Sequence, residues 1–144
     1  MRIAIGADHA GFDFKEQLRN FLIEEGYEVC DFGAYEFDEN DGFPDFAIPV
    51  AISVSEKKYD RGVLVCGSGI GVSIAANKVK GVRAVNCVNE EFAKLSRLHN
   101  DTNVICFPGR FLDINDAKSY LKIWLSTEFL GGKYKDRNDK LDEI

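Results

Sequence analysis

Apolar runs alternate with amphipathic stretches along the whole chain. Five short runs are almost continuously apolar, which is typical of parallel strands buried on both faces of a sheet. In chain order they read RIAIGA, YEVCDFG, RGVLVCG, GVRAVNC and NVICFPG. The pattern predicts five strands separated by longer segments of a different periodicity.

Those longer segments carry apolar residues at helical spacing. The first, FDFKEQLRNFLIEEG, predicts a helix that stops near Gly26. Further helices are predicted from about Phe46 to Lys57, around SIAANKV, over NEEFAKLSRLHN with Asn89 as N-cap, and over INDAKSYLKIWLSTEFL. A charged tail, Lys133 to Ile144, follows.

Five strands that alternate with five helices predict a single α/β domain over residues 1–144. The expected architecture is a three-layer Rossmann-like or flavodoxin-like fold, a five-stranded parallel sheet with helices on both faces and a C-terminal helical tail. The number of alternating strand–helix units favours the strand order 2-1-3-4-5 in the sheet.

Polar side chains follow several of these strands. In such sheets ligands bind beyond the carboxyl ends of the strands. Asp8 and His9 follow the first strand, Cys66 to Gly71 the third, and Arg110 the fifth. His99 and Asn100 instead end a helix, so they would reach that edge only through a neighbour or a bend.

Composition and charge narrow the partners. The net charge of −6 argues against nucleic acid as the main partner. No apolar run is long enough for a membrane span or a secretion signal, so we expect a cytoplasmic protein. The four cysteines contain no CxxC pair, and Cys30, Cys87 and Cys106 read as small buried apolar residues.

The segment CGSGIG connects the third strand to a helix. Gly67, Gly69 and Gly71 let several backbone N–H groups converge on a negative oxygen near the positive end of that helix. The segment lacks the Gly-Lys-Ser/Thr ending of a Walker A loop and the GxGxxG of a dinucleotide site. It also lacks the arginine that a low-molecular-weight phosphotyrosine phosphatase would place at position 72. The remaining readings are an anion site or a turn that only permits tight packing.

Cys66 lies at the mouth of this turn. A cysteine near a helix N-terminus and cations offers a thiolate, which acts as a nucleophile or as a base. The chain has two histidines, His9 and His99, and the spacing does not decide which one lies near the thiol. Lys133 and Arg137 are four residues apart and could grip a phosphate if the tail folds over a crevice. Alternatively, they belong to a solvated helix.

Four segments, in this order, make the sequence resemble ribose-5-phosphate isomerase type B over essentially its whole length. They are GADHAGFDFK, CGSGIGVSIAANK, SRLHNDTNV and the GGK…R of the tail. The wider family includes the galactose-6-phosphate isomerase subunits.

The resemblance implies an isomerase of ribose 5-phosphate and ribulose 5-phosphate that works through a cis-enediolate without metal or cofactor. Cys66 would be the base and His99 the acid that opens the furanose ring. Ser68 would replace the usual catalytic-loop threonine. Donors for the enediolate oxygen would come from Gly67 to Gly71. The implied substrate-binding residues are Asp8, His9, Gly67, Ser68, Gly69, Ile70, Gly71, Asn100, Arg110, Lys133 and Arg137.

The resemblance also implies a homodimer with shared active sites, often paired into a tetramer. Besides Ser68, three positions named here depart from the family pattern. Gly42 and Phe43 replace an Asp-Tyr pair that helps with ring handling, for which Asp41 or Asp45 could compensate. Lys133 replaces an arginine. These departures leave open a six-carbon sugar phosphate, of the galactose-6-phosphate or allose-6-phosphate type, or a non-catalytic module that only binds an anion.

Overall fold

The computed structural model describes all residues from 1 to 144 and has a five-stranded parallel sheet at its centre. The strands are β1 Arg2–Ala7, β2 Glu28–Asp31, β3 Arg61–Cys66, β4 Ala84–Asn86 and β5 Val104–Pro108. Every neighbouring pair runs parallel. The predicted α/β class is confirmed.

Six α-helices accompany the sheet, the five of the alternating pattern and one in the predicted helical tail. They are α1 Phe12–Glu24, α2 Pro44–Ser55, α3 Ile70–Asn77, α4 Glu90–Asn100, α5 Ile114–Ser126 and α6 Lys133–Asp139. Short 3-10 turns occupy His9–Gly11 and Lys140–Glu143. Asn89 caps α4 as predicted, since its side chain accepts from the Phe92 N–H at 2.8 Å. No helix combines the length and the apolar character needed to cross a bilayer.

Two buried clusters, one on each face of the sheet, make the three layers. One contains apolar side chains of α1, α4 and α5, among them Leu18, Ala93 and Trp124. The other contains side chains of α2 and α3. Because strand side chains alternate between faces, Val63 and Val65 point to the first cluster, and Leu64 and Cys66 to the second. Cys66 therefore ends β3 on the face covered by α2 and α3.

The strand order is 2-1-3-5-4, so the predicted order 2-1-3-4-5 is wrong for the last two strands. β5 pairs directly with β3, with Val63 opposite Ile105, and β4 is the edge strand. The physical reason is burial. All five residues of β5 are buried, whereas β4 has three residues that are all partly exposed. The more apolar strand takes the interior position, which brings Arg110 beside the glycine turn after β3.

A buried ion pair ties α1 to β2. The Lys15 side chain is completely buried, and its Nζ donates to both carboxylate oxygens of Asp31 at 2.9 Å and to the carbonyl of Ala34. Replacing only one member of such a pair strands the other charge in a poorly solvated position. We therefore expect the loss of either Lys15 or Asp31 to destabilise the fold.

We expect Lys15→Met to lower the free energy of unfolding by about 3 kcal/mol, because Asp31 would lose its closest counter-ion and keep only Arg19, whose Nε lies 3.7 Å from Oδ2. Urea denaturation measures this loss. Lys122→Met is the matched control, since Lys122 pairs with Glu25 at 3.8 Å on the surface and should matter by less than about 1 kcal/mol. A similar small loss for both variants would contradict the account.

Candidate active site

The carboxyl ends of β1, β3 and β5 meet at one edge of the sheet, as predicted. The Gly109 N–H donates to the Cys66 carbonyl at 2.9 Å, and the Arg110 N–H donates to the Gly67 carbonyl at 3.0 Å. These bonds continue the pairing of β3 with β5 beyond the strands. They place the Arg110 side chain against Gly67, where an added Cβ would lie 3.2 Å from its Cδ atom.

A cavity of about 340 Å³ opens at this edge, and we name it the Cys66 cavity. Cys66 is 5% exposed, and all four cysteines are free thiols. The cavity is lined by Asp8, His9, Ala10, Phe43, Cys66, Gly67, Ser68, Gly71, Arg110 and Phe111. It thus brings together a thiol, a carboxyl, an imidazole and a guanidinium beside the start of a helix.

The glycine turn depends on Gly69. Its φ of +72° belongs to the left-handed region, and an added Cβ would lie 2.1 Å from Asn86 Oδ1. Asn86, which no sequence motif singled out, also donates from Nδ2 to the Ser68 carbonyl at 3.2 Å. The helix begins at Ile70, and the Ile70 N–H donates to Ser68 Oγ at 3.2 Å. The next N–H groups of its first turn have no acceptor within the helix and are available to an anion.

Asp8 contributes a buried carboxyl to the cavity. Its Oδ1 accepts from the Gly11 N–H at 3.2 Å. Burial raises the pKa of Asp8 above its ordinary value, while the bond from Gly11 and the nearby His9 act in the opposite direction. The charged form of Asp8 is therefore held in the site at a cost in stability.

This cost predicts that Asp8→Asn is more stable than the wild type at neutral pH. A folded-state pKa above the unfolded-state value favours the protonated carboxyl. The free energy of unfolding therefore falls as the pH rises from the unfolded-state pKa of Asp8 through its folded-state pKa. Asparagine avoids this loss and keeps an acceptor for Gly11. Urea unfolding at about pH 7 and about pH 4 measures the difference between the two proteins, which should shrink on acidification. A difference that grows on acidification would contradict the assignment.

Asp8, His9 and Asp41 form the one group of potential metal ligands, with their ligand atoms within 4.8 Å of one another. His9 Nδ1 lies 2.8 Å from Asp41 Oδ1, and Asp8 Oδ1 is bonded to Gly11. The contact between His9 and Asp41 and the bond from Gly11 to Asp8 hold these groups in place.

A second cluster lies at the end of α4, and we name it the His99 cluster. The imidazole of His99 stacks on the Tyr134 ring, with centroids 4.4 Å apart and planes 11° apart. Lys133 Nζ and Arg137 Cζ lie 5.4 and 5.7 Å from the same ring centroid. Buried Asn138 donates to the His99 carbonyl at 3.2 Å. The tail therefore docks on α4 as a helix, with its two cations beside His99.

The structure thus divides the predicted site residues into two groups. The Cys66 cavity holds Asp8, His9, Cys66, Gly67, Ser68, Gly71 and Arg110. None of His99, Asn100, Lys133 and Arg137 lines it, and neither do Gly69 and Ile70 of the glycine turn. Tyr134 and Asn138 join the second group without having been predicted as site residues. Their only sequence signal is their position beside Lys133 and Arg137.

A larger cavity, of about 630 Å³, lies elsewhere. It runs beside the edge strand β4 and includes Asn86 and Asn100 but neither the thiol nor either histidine. We place the candidate site in the smaller Cys66 cavity because the reactive groups converge there.

Comparison with known proteins identifies the family. A family model described as Ribose/Galactose Isomerase matches residues 3–141. Ribose-5-phosphate isomerase B of Escherichia coli is 41% identical, with 99% of this chain and 95% of that protein covered. A D-erythrulose-4-phosphate isomerase of Pectobacterium atrosepticum is 37% identical, with 98% and 93% covered.

Solved structures show the same relationship. The ribose-5-phosphate isomerase B of Mycoplasma genitalium, solved with bound ribulose-5-phosphate, matches with a TM-score of 0.95 and 39% identity. The match covers 99% of this chain and 94% of that one. Fold, site and relatives lead to one conclusion: the chain is an isomerase and belongs to the ribose/galactose isomerase family.

Proposed function

We propose that this enzyme interconverts D-ribose 5-phosphate and D-ribulose 5-phosphate through a cis-enediolate, without a metal. The observation that carries the proposal is the Cys66 thiol, which lines a cavity with Asp8, His9 and Arg110 beside the glycine turn. Relatives named as ribose-5-phosphate isomerases, at about 40% identity over the full chain, support the choice of substrate.

The chemistry is a proton shift between two neighbouring carbons. Cys66, as thiolate, takes the proton from C2 of the open-chain aldose, and the electron pair moves to form the enediolate. The resulting thiol returns a proton to C1 while the hydroxyl proton passes from O2 to O1, so that C2 becomes the carbonyl carbon of the ketose. A thiolate suits this exchange because its basicity can be matched to neutral pH. His99 would first assist the opening of the furanose ring by giving a proton to the ring oxygen.

The negative oxygen of the enediolate needs donors fixed in advance. N–H groups of the turn from Gly67 to Gly71 and the positive end of α3 provide them next to the thiol. The phosphate, at the far end of the substrate, would be bound by Arg110 and by the cations Lys133 and Arg137. Binding energy from the phosphate then positions the reacting carbons.

A homodimer would complete each site. The Cys66 cavity lacks the ring-opening acid, and the His99 cluster lacks a base, so each group needs the other. A second copy of the chain would bring its His99, Asn100, Lys133 and Arg137 to the first copy's cavity. Exposed apolar side chains on α3 and α4, namely Ile70, Ile74, Phe92 and Leu95, offer a surface for this contact. The pairing of two such dimers into a tetramer remains a prediction.

A second candidate substrate is a four-carbon sugar phosphate. Phe43 forms an apolar wall of the cavity, and its ring lies 3.0 Å from where a Cβ on Gly71 would be. This wall offers no polar group to a ring hydroxyl. A four-carbon aldose with its phosphate on O4 cannot close a furanose ring, so it needs no such group. The Pectobacterium relative carries the corresponding name.

A coupled assay with a metal chelator tests the proposal. The wild type should convert ribose 5-phosphate with a higher kcat/KM than erythrose 4-phosphate, galactose 6-phosphate or allose 6-phosphate. A clear preference for another sugar phosphate would change the substrate that we assign and leave the assigned reaction class, aldose–ketose isomerisation, unchanged. Binding of all four without turnover would overturn the proposal in favour of an anion-binding module.

A further inference from the structure

The loop before α2 holds the imidazole of His9 from two sides. Oδ1 of Asp41 accepts from the backbone N–H of His9 at 2.9 Å and lies 2.8 Å from His9 Nδ1. The Phe37 ring meets the imidazole edge-on, with centroids 6.0 Å apart. Both contacts come from one loop, so this loop fixes the position of His9 in the cavity.

The Asp41 contact also determines which nitrogen of His9 carries the proton. An ionised carboxylate only accepts hydrogen bonds, so the facing Nδ1 must be the N–H. Nε2 makes no hydrogen bond within the chain, and His9 lines the Cys66 cavity. In the neutral ring Nε2 then keeps its lone pair available to a donor that enters the cavity.

The second oxygen of Asp41 argues for more than a structural role. Oδ2 is buried and has no hydrogen-bond partner, and the Asp41 side chain is only 9% exposed. An unpaired buried carboxylate oxygen lowers the stability of the fold. A neutral side chain at this position could hold the loop against His9 without that cost. Asp45, the other nearby carboxylate, is exposed in the first turn of α2 and makes no hydrogen bond or ion pair with His9.

We propose that Asp41 is a positioning residue for His9. It fixes the Nδ1–H tautomer and the ring orientation, so that Nε2 keeps its lone pair toward the Cys66 cavity. Contact of Nε2 with the substrate rests on the proposed function, whereas the tautomer and its control by Asp41 do not.

Long-range ¹H–¹⁵N correlation spectra test the tautomer directly. The chain has two histidines, so His99→Gln leaves the His9 ring alone in the spectrum. At a pH well above the ordinary histidine pKa, His9 should be protonated at Nδ1 in this background. Adding Asp41→Ala should shift it toward the Nε2–H form, and Asp41→Asn, whose amide oxygen still accepts, should restore Nδ1–H. An Nε2–H ring before any change to Asp41, or no response to Asp41→Ala, would overturn the proposal.

Kinetics of the single variants provide the functional test. Asp41→Ala should lower kcat/KM about tenfold to a hundredfold, the usual loss when a histidine loses its orienting partner. Asp41→Asn should recover most of that loss, and Asp45→Ala should match the wild type. Equal losses for the alanine and asparagine variants at Asp41 would show that charge or loop packing matters instead, and would overturn the proposal. A wild type that does not isomerise ribose 5-phosphate would fail the proposed function alone, since the spectra need no turnover.

Discussion

Cys66→Ala is expected to lower kcat for ribose 5-phosphate by at least about a hundredfold, within the 10²–10⁴ range of positioned acid–base groups. The methyl group of alanine can neither take the C2 proton nor return it to C1. The rest of the Cys66 cavity stays in place, because the side chain is small and lies at the end of β3. A substrate analogue should therefore bind the variant within about threefold of the wild type, since a lost transition-state contact lowers kcat and spares binding. Steady-state kinetics and calorimetric titration measure the two quantities.

Cys30→Ala is the matched control for this loss. Cys30 is a partly buried free thiol on β2, which pairs with the opposite side of β1 from β3. The other two thiols are poorer controls, because burial raises the pKa of Cys87 to about 11 and raises that of Cys106. Cys30→Ala should keep nearly full activity. A Cys66→Ala variant that retains half of the wild-type kcat would rule out the thiol as the base.

Two inactive variants are expected to restore activity when they are refolded together. Cys66→Ala removes the base from the cavity, and His99→Gln removes the acid from the other cluster. If each site takes one group from each copy, a mixed dimer has one site with both groups intact and one with neither. Random pairing makes half of the dimers mixed, so about a quarter of wild-type activity should return. Refolding an equimolar mixture and assaying it against each variant alone measures the recovery.

The control for this recovery pairs two changes within the same cavity. Cys66→Ala mixed with Asp8→Ala leaves one damaged cavity in each site of a mixed dimer, so activity should stay near that of the single variants. Recovery in the first mixture and none in the second identifies a shared site. Equal behaviour of the two mixtures would show that one copy supplies the whole site, and the proposed dimer would then be wrong.

The sequence predicted the layers of the fold but misplaced the last two strands. Apolar runs and helical spacing are local properties, so they reveal that NVICFPG and GVRAVNC are strands. Their order depends on which strand can lose all contact with water. β5 is buried throughout and β4 is not, a difference that the count of units does not contain.

The same distinction separates the site residues. Asp8, Cys66 and Arg110 lie at or just beyond the ends of strands, so strand ends alone predicted that they would meet. The docking of α6 on α4 through Asn138, and the contact of Asp41 with His9 across 32 positions, depend on tertiary packing. No periodicity encodes such contacts. In the loop before α2, the sequence offered Asp41 or Asp45 as a replacement for the family's missing carboxylate and could not choose between them. The structure shows that Asp41 is the one in contact with His9.

The fate of the C2 proton tests the central claim most directly. Ribose 5-phosphate should be converted in deuterium oxide, with a chelator present, and the ribulose 5-phosphate examined by NMR for deuterium at C1. A thiol that carries the proton exchanges it with solvent, so the account predicts deuterium at C1 with the wild type and none above background with Cys66→Ala. Wild-type product that retains only protium at C1 would contradict the enediolate and point to direct transfer of hydride between the two carbons.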